Sequence, residues 1–336
     1  MKNFTYYQPK TVAGAVGLLE PKWGKVELLA GGTDLLDLQK EYVAQPEKVV
    51  SLTGVAGMGA IDITTAMLGS LVKIGANVKL AAIAEHAGLK AMVPALTETA
   101  GIIGGPQIRN MGTLGGNLCQ RNRCWYFRDE HVNCLLKGGD KCFALPADAE
   151  NRYHAIFTQG NKCVMVNPST LAPVLIALGA TAEVQGPKGK RTIDLAKFFQ
   201  APSTAAEREH VLSPDEVVLS VSFGVPTGTV TGAYEVRHKQ SYDWPLVQAA
   251  VALSMVDGKV DKASVVLGHV APTPVVSAAA AKSLIGKAIT EESAGIAGQE
   301  AAKGAKPLGQ NAYKVKLVEV AVKRALMAAA GKKYWE

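Results

Sequence analysis

No run of apolar residues in this 336-residue chain is long enough to cross a bilayer. The opening Met1-Lys2-Asn3-Phe4-Thr5-Tyr6-Tyr7-Gln8-Pro9 lacks the apolar core of a signal peptide, which makes the cytoplasm the default compartment. Charge is also undramatic. The formal +7, from 36 basic against 29 acidic residues, is spread thinly, and aromatics at 6 per cent do not interleave with a basic face, so nucleic acid is not the expected partner. There is no G-x-G-x-x-G, which removes the fingerprint of a Rossmann nicotinamide fold. There is no C-x-x-C either. Cysteine is scarce and localised: five residues, an odd number, all between Cys119 and Cys163. A chain of this size with 48 per cent hydrophobic residues does not need disulfides for stability, so metal or redox chemistry becomes the better use for them.

What is present reads as mixed α and β. Lys25 to Ala30 and Lys48 to Leu52 have strand patterns inside a small α/β unit. Met67 to Lys79 suggests a strand pair, and Leu80 to Thr99 carries apolar residues at helical spacing. After Asn117 periodicity fails for some forty residues, too long for a simple connection. A strand is then expected at Cys163-Val164-Met165-Val166. It precedes a helix from Leu171 to Leu178, with Ser169 as its cap, Pro173 in its first turn and Gly179 at its end. A boundary falls near Pro226-Thr227-Gly228-Thr229. Beyond it a hairpin, Ala249 to Val256 and Val260 to Leu267, and an amphipathic helix, Asn311 to Ala330, form a separate α+β unit.

Two glycine-rich loops stand out, Leu28-Leu29-Ala30-Gly31-Gly32-Thr33-Asp34-Leu35-Leu36 and Gly112-Thr113-Leu114-Gly115-Gly116-Asn117-Leu118. A glycine has no Cβ to hold the backbone off an anion, so successive N–H groups in the first loop can cradle a pyrophosphate, with the Thr33 hydroxyl as a further donor. Taken alone, a Gly-Gly pair is more often a tight turn. Cys124, Cys134, Cys142 and Cys163 have nine, seven and twenty residues between them, a spacing that leaves buried free thiols, structural zinc and an iron–sulfur cluster all open. Arg121, Arg123, Arg128, Lys137 and Lys141 lie among them, positioned to offset the charge of a thiolate-held cluster and to lower the thiol pKa values. His131 and His154 in the same segment read as ordinary hydrogen-bonding side chains, and Trp125, Tyr126 and Phe127 as a hydrophobic shield.

Taken together, these loops and cysteines resemble the FAD-binding medium subunits of the xanthine dehydrogenase (molybdenum hydroxylase) family, which includes carbon monoxide dehydrogenase and 4-hydroxybenzoyl-CoA reductase. The resemblance runs through Phe4-Thr5-Tyr6, the loop at 28–36, Arg109-Asn110 with Thr113 to Leu118, the helix at 171–180 and Gly268-His269-Val270-Ala271-Pro272-Thr273-Pro274. It implies an α+β fold: a two-lobed FAD-binding domain of the vanillyl-alcohol-oxidase (PCMH) type at 1–225, with lobes of about 1–58 and 59–225, then a C-terminal α+β domain of the CO dehydrogenase flavoprotein type at 229–334. It also implies that FAD is held by Leu28, Leu29, Ala30, Gly31, Gly32, Thr33, Asp34 and Leu35, with Thr113, Gly116 and Asn117 approaching from the second lobe. Ile103 would lie near the flavin and Val218 beside it. Thr170 stands where many relatives have Asp, and Glu235 where relatives often have Lys, with Arg237 and Lys239 close by.

One branch of the family carries an insertion after the Gly-Gly-Asn motif that binds a 4Fe-4S cluster: the 4-hydroxybenzoyl-CoA reductase subunit and that of a periplasmic bacterial aldehyde oxidoreductase. Gly116-Asn117-Leu118-Cys119-Gln120-Arg121-Asn122-Arg123-Cys124-Trp125-Tyr126-Phe127 is similar to the latter, as is Tyr153-His154-Ala155-Ile156-Phe157. The match makes Cys124, Cys134, Cys142 and Cys163 the ligands in an insertion at 119–163, ordered chiefly by its cluster, and Cys119 a spare core residue. The implied role is that of an electron-transfer module. It would pass electrons, via FAD, between the 2Fe-2S small subunit of a complex that also holds a molybdopterin-binding large subunit and an external acceptor or donor, such as a small-molecule or protein electron acceptor. No catalytic acid–base or nucleophilic group is expected. Export to the periplasm with a signal-bearing partner is the alternative location. A stand-alone FAD oxidoreductase of the same fold is the alternative function, and a zinc-stabilised binding protein a third.

Overall fold

The computed structural model describes residues 1–240 and 242–332. The last two residues expected in the C-terminal domain, 333 and 334, lie outside the described residues. Three short strands, β1 (Thr5–Tyr7), β2 (Val26–Leu29) and β3 (Lys48–Ser51), form a parallel sheet in the order β1-β3-β2. Parallel strands need crossovers. The first is the Val12–Val16 helix, whose Thr11 cap accepts from the Gly14 N–H, and the second is the Leu35–Lys40 helix.

A second sheet is antiparallel throughout, in the order β4-β5-β8-β6-β7, with β4 (Ile61–Ala66), β5 (Gly69–Gly75), β6 (Thr181–Gly186), β7 (Gly189–Asp194) and β8 (Val217–Pro226). The pair expected from Met67 is real but starts six residues earlier, at Ile61, and Met67 and Leu68 are its exposed tip. On β4 the alternation is short: Ile61 and Ile63 alternate with Asp62 and Thr64, and Thr65 interrupts it. The expected helical stretch from Leu80 is broken into three helices, Leu80–Glu85, Ala87–Met92 and Pro94–Gly101. His86 breaks it first, extended at φ −71°, ψ 109°, its ring nitrogen accepting from the Leu89 N–H. Pro94 restricts the backbone of Val93 before it and makes the second break. Both sheets share one core.

The third sheet, β12-β11-β10-β9, comprises β9 (Thr229–Val236), β10 (Val247–Val256), β11 (Lys259–Gly268) and β12 (Val275–Val276), all antiparallel. Its helices Ala278–Leu284, Glu291–Ala302 and Tyr313–Ala329 cover one face. The near-continuous apolar run of β10 follows from the period of two. Val247, Ala249, Val251 and Leu253 enter the core under those helices, while Ala250 turns to the main core and Gln248 to Thr170. Between the cores lies the Leu171–Ala177 helix, every residue of it buried. Ser169 Oγ accepts from the Ala172 N–H as expected of a cap, and the helix begins at Leu171 as expected, with Thr170 between them.

The cysteine-bearing segment contains two short helices, Leu114–Cys119 and Trp125–Arg128, and a 3-10 turn at Leu135–Lys137. No strand forms at Cys163–Val166. That stretch has single backbone bonds, Ala155 N–H to Val164 O and Asn167 N–H to Ala271 O, and no ladder partner. The segment is nevertheless well anchored. It has small cores of its own, around Phe127, Leu136 and Met165 and around Ala144, Ala155 and Val164. Ile156 and Phe157 donate their N–H groups to Val270 O, and Asn311 Nδ2 donates to the carbonyls of His154 and Ala155. Its order therefore does not depend on a cluster alone, contrary to the expectation from the sequence.

Lys314 is the central strut of this junction. Fully buried, its Nζ donates to Tyr153 O, His154 O and His269 O at 3.3, 3.1 and 2.7 Å. Burial pushes its pKa down, but three carbonyl oxygens satisfy the ammonium. Lys314→Ala strands Tyr153 O and His269 O, while His154 O keeps its bond from Asn311 Nδ2, and we expect it to cost on the order of 3 kcal/mol in urea denaturation. A loss within experimental error would show that the junction is held by packing alone.

Candidate functional site

The first glycine loop joins the end of β2 to the Leu35–Lys40 helix. Gly31 is required by crowding: a Cβ there would lie 2.0 Å from Met111 O, because the two glycine loops touch backbone to backbone. Gly32 is required by conformation, at φ +75°. A Cβ at Gly32 would meet only the flexible ends of Leu36 and Leu29, at 3.1 and 3.3 Å, so the reason for Gly32 is its backbone and not the room an anion needs. Among the described residues, the backbone N–H groups of Gly31, Gly32, Thr33 and Asp34 have no acceptor within the protein. Unpaired N–H groups converging before a helix suit an anion.

They open on a cavity of about 430 Å³, a volume suited to a small-molecule ligand. Leu28, Ala30, Gly31, Gly32, Thr33, Asp34, Leu35, Ile103, Thr113, Gly116, Asn117, Thr170 and Val218 all line it. Leu29 does not, since it alternates to the opposite side of β2 from Leu28. The second loop contributes differently from the first. Its N–H groups are already used, Gly116 N donating to Thr113 Oγ1 and Gly115 N to Ala76 O. Asn117 Oδ1 accepts from Ser169 Oγ and from Leu171 N, which fixes the amide and leaves its Nδ2 without a protein acceptor among the described residues. Arg109 Nη1 donates to the carbonyls of Ile103 and Gly104, bracing the turn that carries Ile103.

Sequence reasoning missed two groups of residues that line the cavity. In one, the Arg208 guanidinium lies 4.8 Å from the Trp23 ring centre, and the His210 ring meets Trp23 edge-on. Burial lowers the His210 pKa to about 4, so this ring is neutral at physiological pH. In the other, Arg123 stacks on Trp244 at 4.5 Å, and Tyr242 lies over Gly105. These residues come from segments far apart in the chain, and no local pattern marks them.

The four cysteines of the insertion are brought together. Cys124, Cys134, Cys142 and Cys163 share one packed group of side chains. Cys163 is hydrogen-bonded to Cys142 and holds that thiol down to about 6, while Cys163 itself is pushed up. Burial pushes Cys124 up to about 12 and raises Cys134. Each sulfur also receives backbone N–H groups, from Phe127 and Tyr126, from Leu136 and Lys137, from Val164, Ala144 and Leu145, and from Met165 respectively. Among the described residues, no three His, Cys, Asp or Glu side chains close on a single-ion site. Cys119 is apart from the four, on the cavity wall, with burial raising its thiol to about 12. His154 is buried and not solvated. Its Nε2 lies 3.2 Å from Cys124 Sγ, and burial lowers its pKa to about 4.

The arginines do not surround the sulfurs. Arg121 Nε pairs with Glu209 at 2.7 Å, and Arg128 pairs with Asp34 at 2.6 Å and with Asp37 at 2.9 Å. Arg123 reaches the same two aspartates, at 3.1 and 3.7 Å. Opposite charge inside the protein outcompetes the thiols, and of the five basic residues Lys137 acts on a cysteine, Cys134. The Asp34 carboxylate is thereby turned to the insertion, and it also accepts from the Arg121 N–H. Only its backbone is left for the cavity.

Residues 2–226 match the family model of the FAD binding domain in molybdopterin dehydrogenase, and residues 232–329 that of the CO dehydrogenase flavoprotein C-terminal domain. The chain belongs to the FAD-binding subunits of the molybdenum hydroxylase family. It is 35% identical over 278 residues to the aldehyde oxidoreductase FAD-binding subunit PaoB of Escherichia coli K12, covering 82% of this chain and 83% of that protein. It is 28% identical over 331 residues to the carbon monoxide dehydrogenase medium chain of Afipia carboxidovorans, covering 97% and 96%. The structure of reconstituted CO dehydrogenase from Oligotropha carboxidovorans superposes with a TM-score of 0.76 at 27% identity over 99% of each chain. As a flavoprotein subunit of this family, the chain is an oxidoreductase component whose fold joins an FAD-binding domain to the CO dehydrogenase flavoprotein C-terminal domain.

For this flavoprotein the contact between the loops is testable. Gly32→Ala should cost about 1–2 kcal/mol through its left-handed backbone and leave the flavin-to-protein ratio nearly unchanged. Gly31→Ala should cost more and lower that ratio, because its Cβ must part the two loops that wall the cavity. Equal flavin contents in the two variants would show that this contact does not shape the cavity.

Proposed function

We propose that FAD lies noncovalently along the cavity, its pyrophosphate on Ala30 to Asp34 with Thr113, Gly116 and Asn117 opposite. Its isoalloxazine would lie toward Ile103, Val218 and Thr170, and its adenine toward Trp23 and Arg208. Leu28 and Leu35 would flank it, whereas Leu29 would act only through packing. The observation that carries this reading is the set of unpaired N–H groups on one loop facing a cavity lined by both. Bound there, FAD supplies the ability to take electrons singly and release them as a pair. The protein's part is to hold the phosphates on fixed dipoles, keep Asn117 oriented through Ser169, and line the cavity with aromatic and guanidinium planes.

The reading divides the chain into an FAD-binding part, 1–225, with lobes of about 1–58 and 59–225, and a C-terminal part, 229–334. It assigns the insertion 119–163 to a 4Fe-4S cluster on Cys124, Cys134, Cys142 and Cys163. The donor set fits. Four thiols share one group, backbone N–H groups are directed at each sulfur, and the acidic Cys142 provides a first thiolate. A 4Fe-4S cluster supplies single-electron transfer, and a thiolate is needed at each iron corner.

In this reading the chain works in a complex with a molybdopterin-binding large subunit and a 2Fe-2S small subunit, passing electrons to a small-molecule or protein acceptor. Purified without partners, it should reduce an artificial acceptor from an artificial donor but not oxidise an aldehyde, a purine or an acyl-CoA. Turnover of such a substrate by the isolated chain would overturn the assignment to a complex.

Metal analysis of anaerobically prepared protein tests the cluster. Iron and acid-labile sulfide should appear together, fall together in each of Cys124→Ser, Cys134→Ser, Cys142→Ser and Cys163→Ser, and stay near wild type in Cys119→Ser. Zinc in place of iron, or a cluster lost with Cys119 and kept without Cys124, defeats the ligand assignment.

A further inference from the structure

The cavity contains one buried carboxyl that its role as a binding cleft does not explain. Glu235 lies on β9, opposite Gln248 on β10, with its side chain only 3% exposed. It lines the cavity, and Arg237 beside it donates to Ile102 O, next in the chain to Ile103. Its Oε1 is buried with no hydrogen-bond partner. The groups around it are few. On its own strand side Arg237 Nε approaches Oε2 at 3.7 Å, but that guanidinium is already committed, Nη1 donating to Ile102 O. From the start of the buried helix the Thr170 hydroxyl hydrogen-bonds the carboxylate, with His269 Nε2 at 3.5 Å behind Thr170 Oγ1. Burial and the nearby Lys314 lower His269 to about 3, so it stays neutral. Gln248 from β10 is uncharged, and its Nε2 serves Thr170 O. Arg237 is thus the sole charged group facing Glu235 among the described residues.

A carboxylate with one oxygen bare and one distant countercharge is poorly stabilised. Burial raises Glu235 to about 7, against the pull of Arg237 and Thr170. Charge in the cavity changes when electrons enter it, and within protein such charges act strongly over a few ångströms. We propose that the Glu235 carboxyl is the proton-exchanging group of the flavin cavity, taking up a proton when an electron pair enters and returning it when the pair leaves. At the protein the step is –COO⁻ + H⁺ → –COOH. The proton comes from solvent, one O–H bond forming on the carboxyl as one breaks in the donating water or hydronium, and the electrons come from an iron–sulfur partner or, in vitro, from dithionite. Below pH 7 the group is already protonated and takes up nothing. Above it, added negative charge raises its pKa further, and uptake accompanies reduction until the pH exceeds this higher value. The inference rests on the reading that flavin occupies this cavity with its ring toward Ile103.

The test is a spectroelectrochemical titration of the flavin bound to the whole chain, from about pH 6 to about pH 9. Above about pH 7 the wild-type midpoint potential should fall more steeply with pH than that of Glu235→Gln, corresponding to about one further proton per electron pair. Equal slopes in the two proteins overturn the proposal. If Glu235→Gln loses its flavin, Thr170→Val serves instead. Removing the hydroxyl that favours the charged carboxylate should move the break to higher pH, and an unmoved break counts against Glu235. A wild-type protein that binds no flavin defeats the cavity assignment itself, a result distinct from flavin present with equal slopes.

Discussion

The backbone contact between the two glycine loops, Gly31 against Met111, is the constraint on which the cavity depends. It brings a loop from the parallel sheet within van der Waals distance of one from the antiparallel lobe, which only a residue without a side chain permits. With the loops fixed against each other, the N–H groups from Gly31 to Asp34 cannot turn back to find protein acceptors, and they face the space between the lobes. The Asp34 side chain leaves on the other side, where Arg123 and Arg128 hold it. One short loop thus serves the cavity with its backbone and the insertion with its carboxylate.

That division of labour joins the two candidate cofactor sites. Arg123 and Arg128 flank Cys124 and Phe127 in sequence, so the ion pairs that hold the first loop also set where the sulfur-bearing segment begins. These pairs are largely shielded from water, with the two arginine side chains 20% and 13% exposed, and screening weakens them less than it would a surface pair. At its far end the insertion is fastened to the C-terminal domain by Asn311, Lys314 and the Val270 carbonyl. The Gly268-to-Pro274 motif therefore serves as a dock for the insertion as well as the end of a strand.

Much of the fold was legible in local pattern. β2, β3, the β10–β11 hairpin and the C-terminal helix follow from alternation, turn residues and helical spacing, because each buries a face of its own. The breaks at His86 and Pro94 were not read, although Pro94 carried a signal. The strand expected at Cys163–Val166 failed because apolar residues in that stretch pack into the small cores of the insertion, with no neighbouring strand to pair with. In the site, the glycine loops and Asn117 were visible as motifs. Trp23, Arg208, Tyr242 and Trp244 were not, since they meet only when separate lobes close on one space.

The sequence by itself determined the family, the α+β class and the two glycine loops, because these rest on residue types at fixed short spacing. It also confined the cysteines to one segment. Only the tertiary structure decided what the charges do. The basic residues of the insertion read as counterions to thiolates, yet Asp34, Asp37 and Glu209 claim three of them, since a full carboxylate charge at hydrogen-bond distance attracts a guanidinium more strongly than a buried, protonated thiol. Likewise only folding could bury Glu235 beside a single, already occupied guanidinium, because its low exposure comes from Thr170 and Gln248, which the chain brings to it from distant elements.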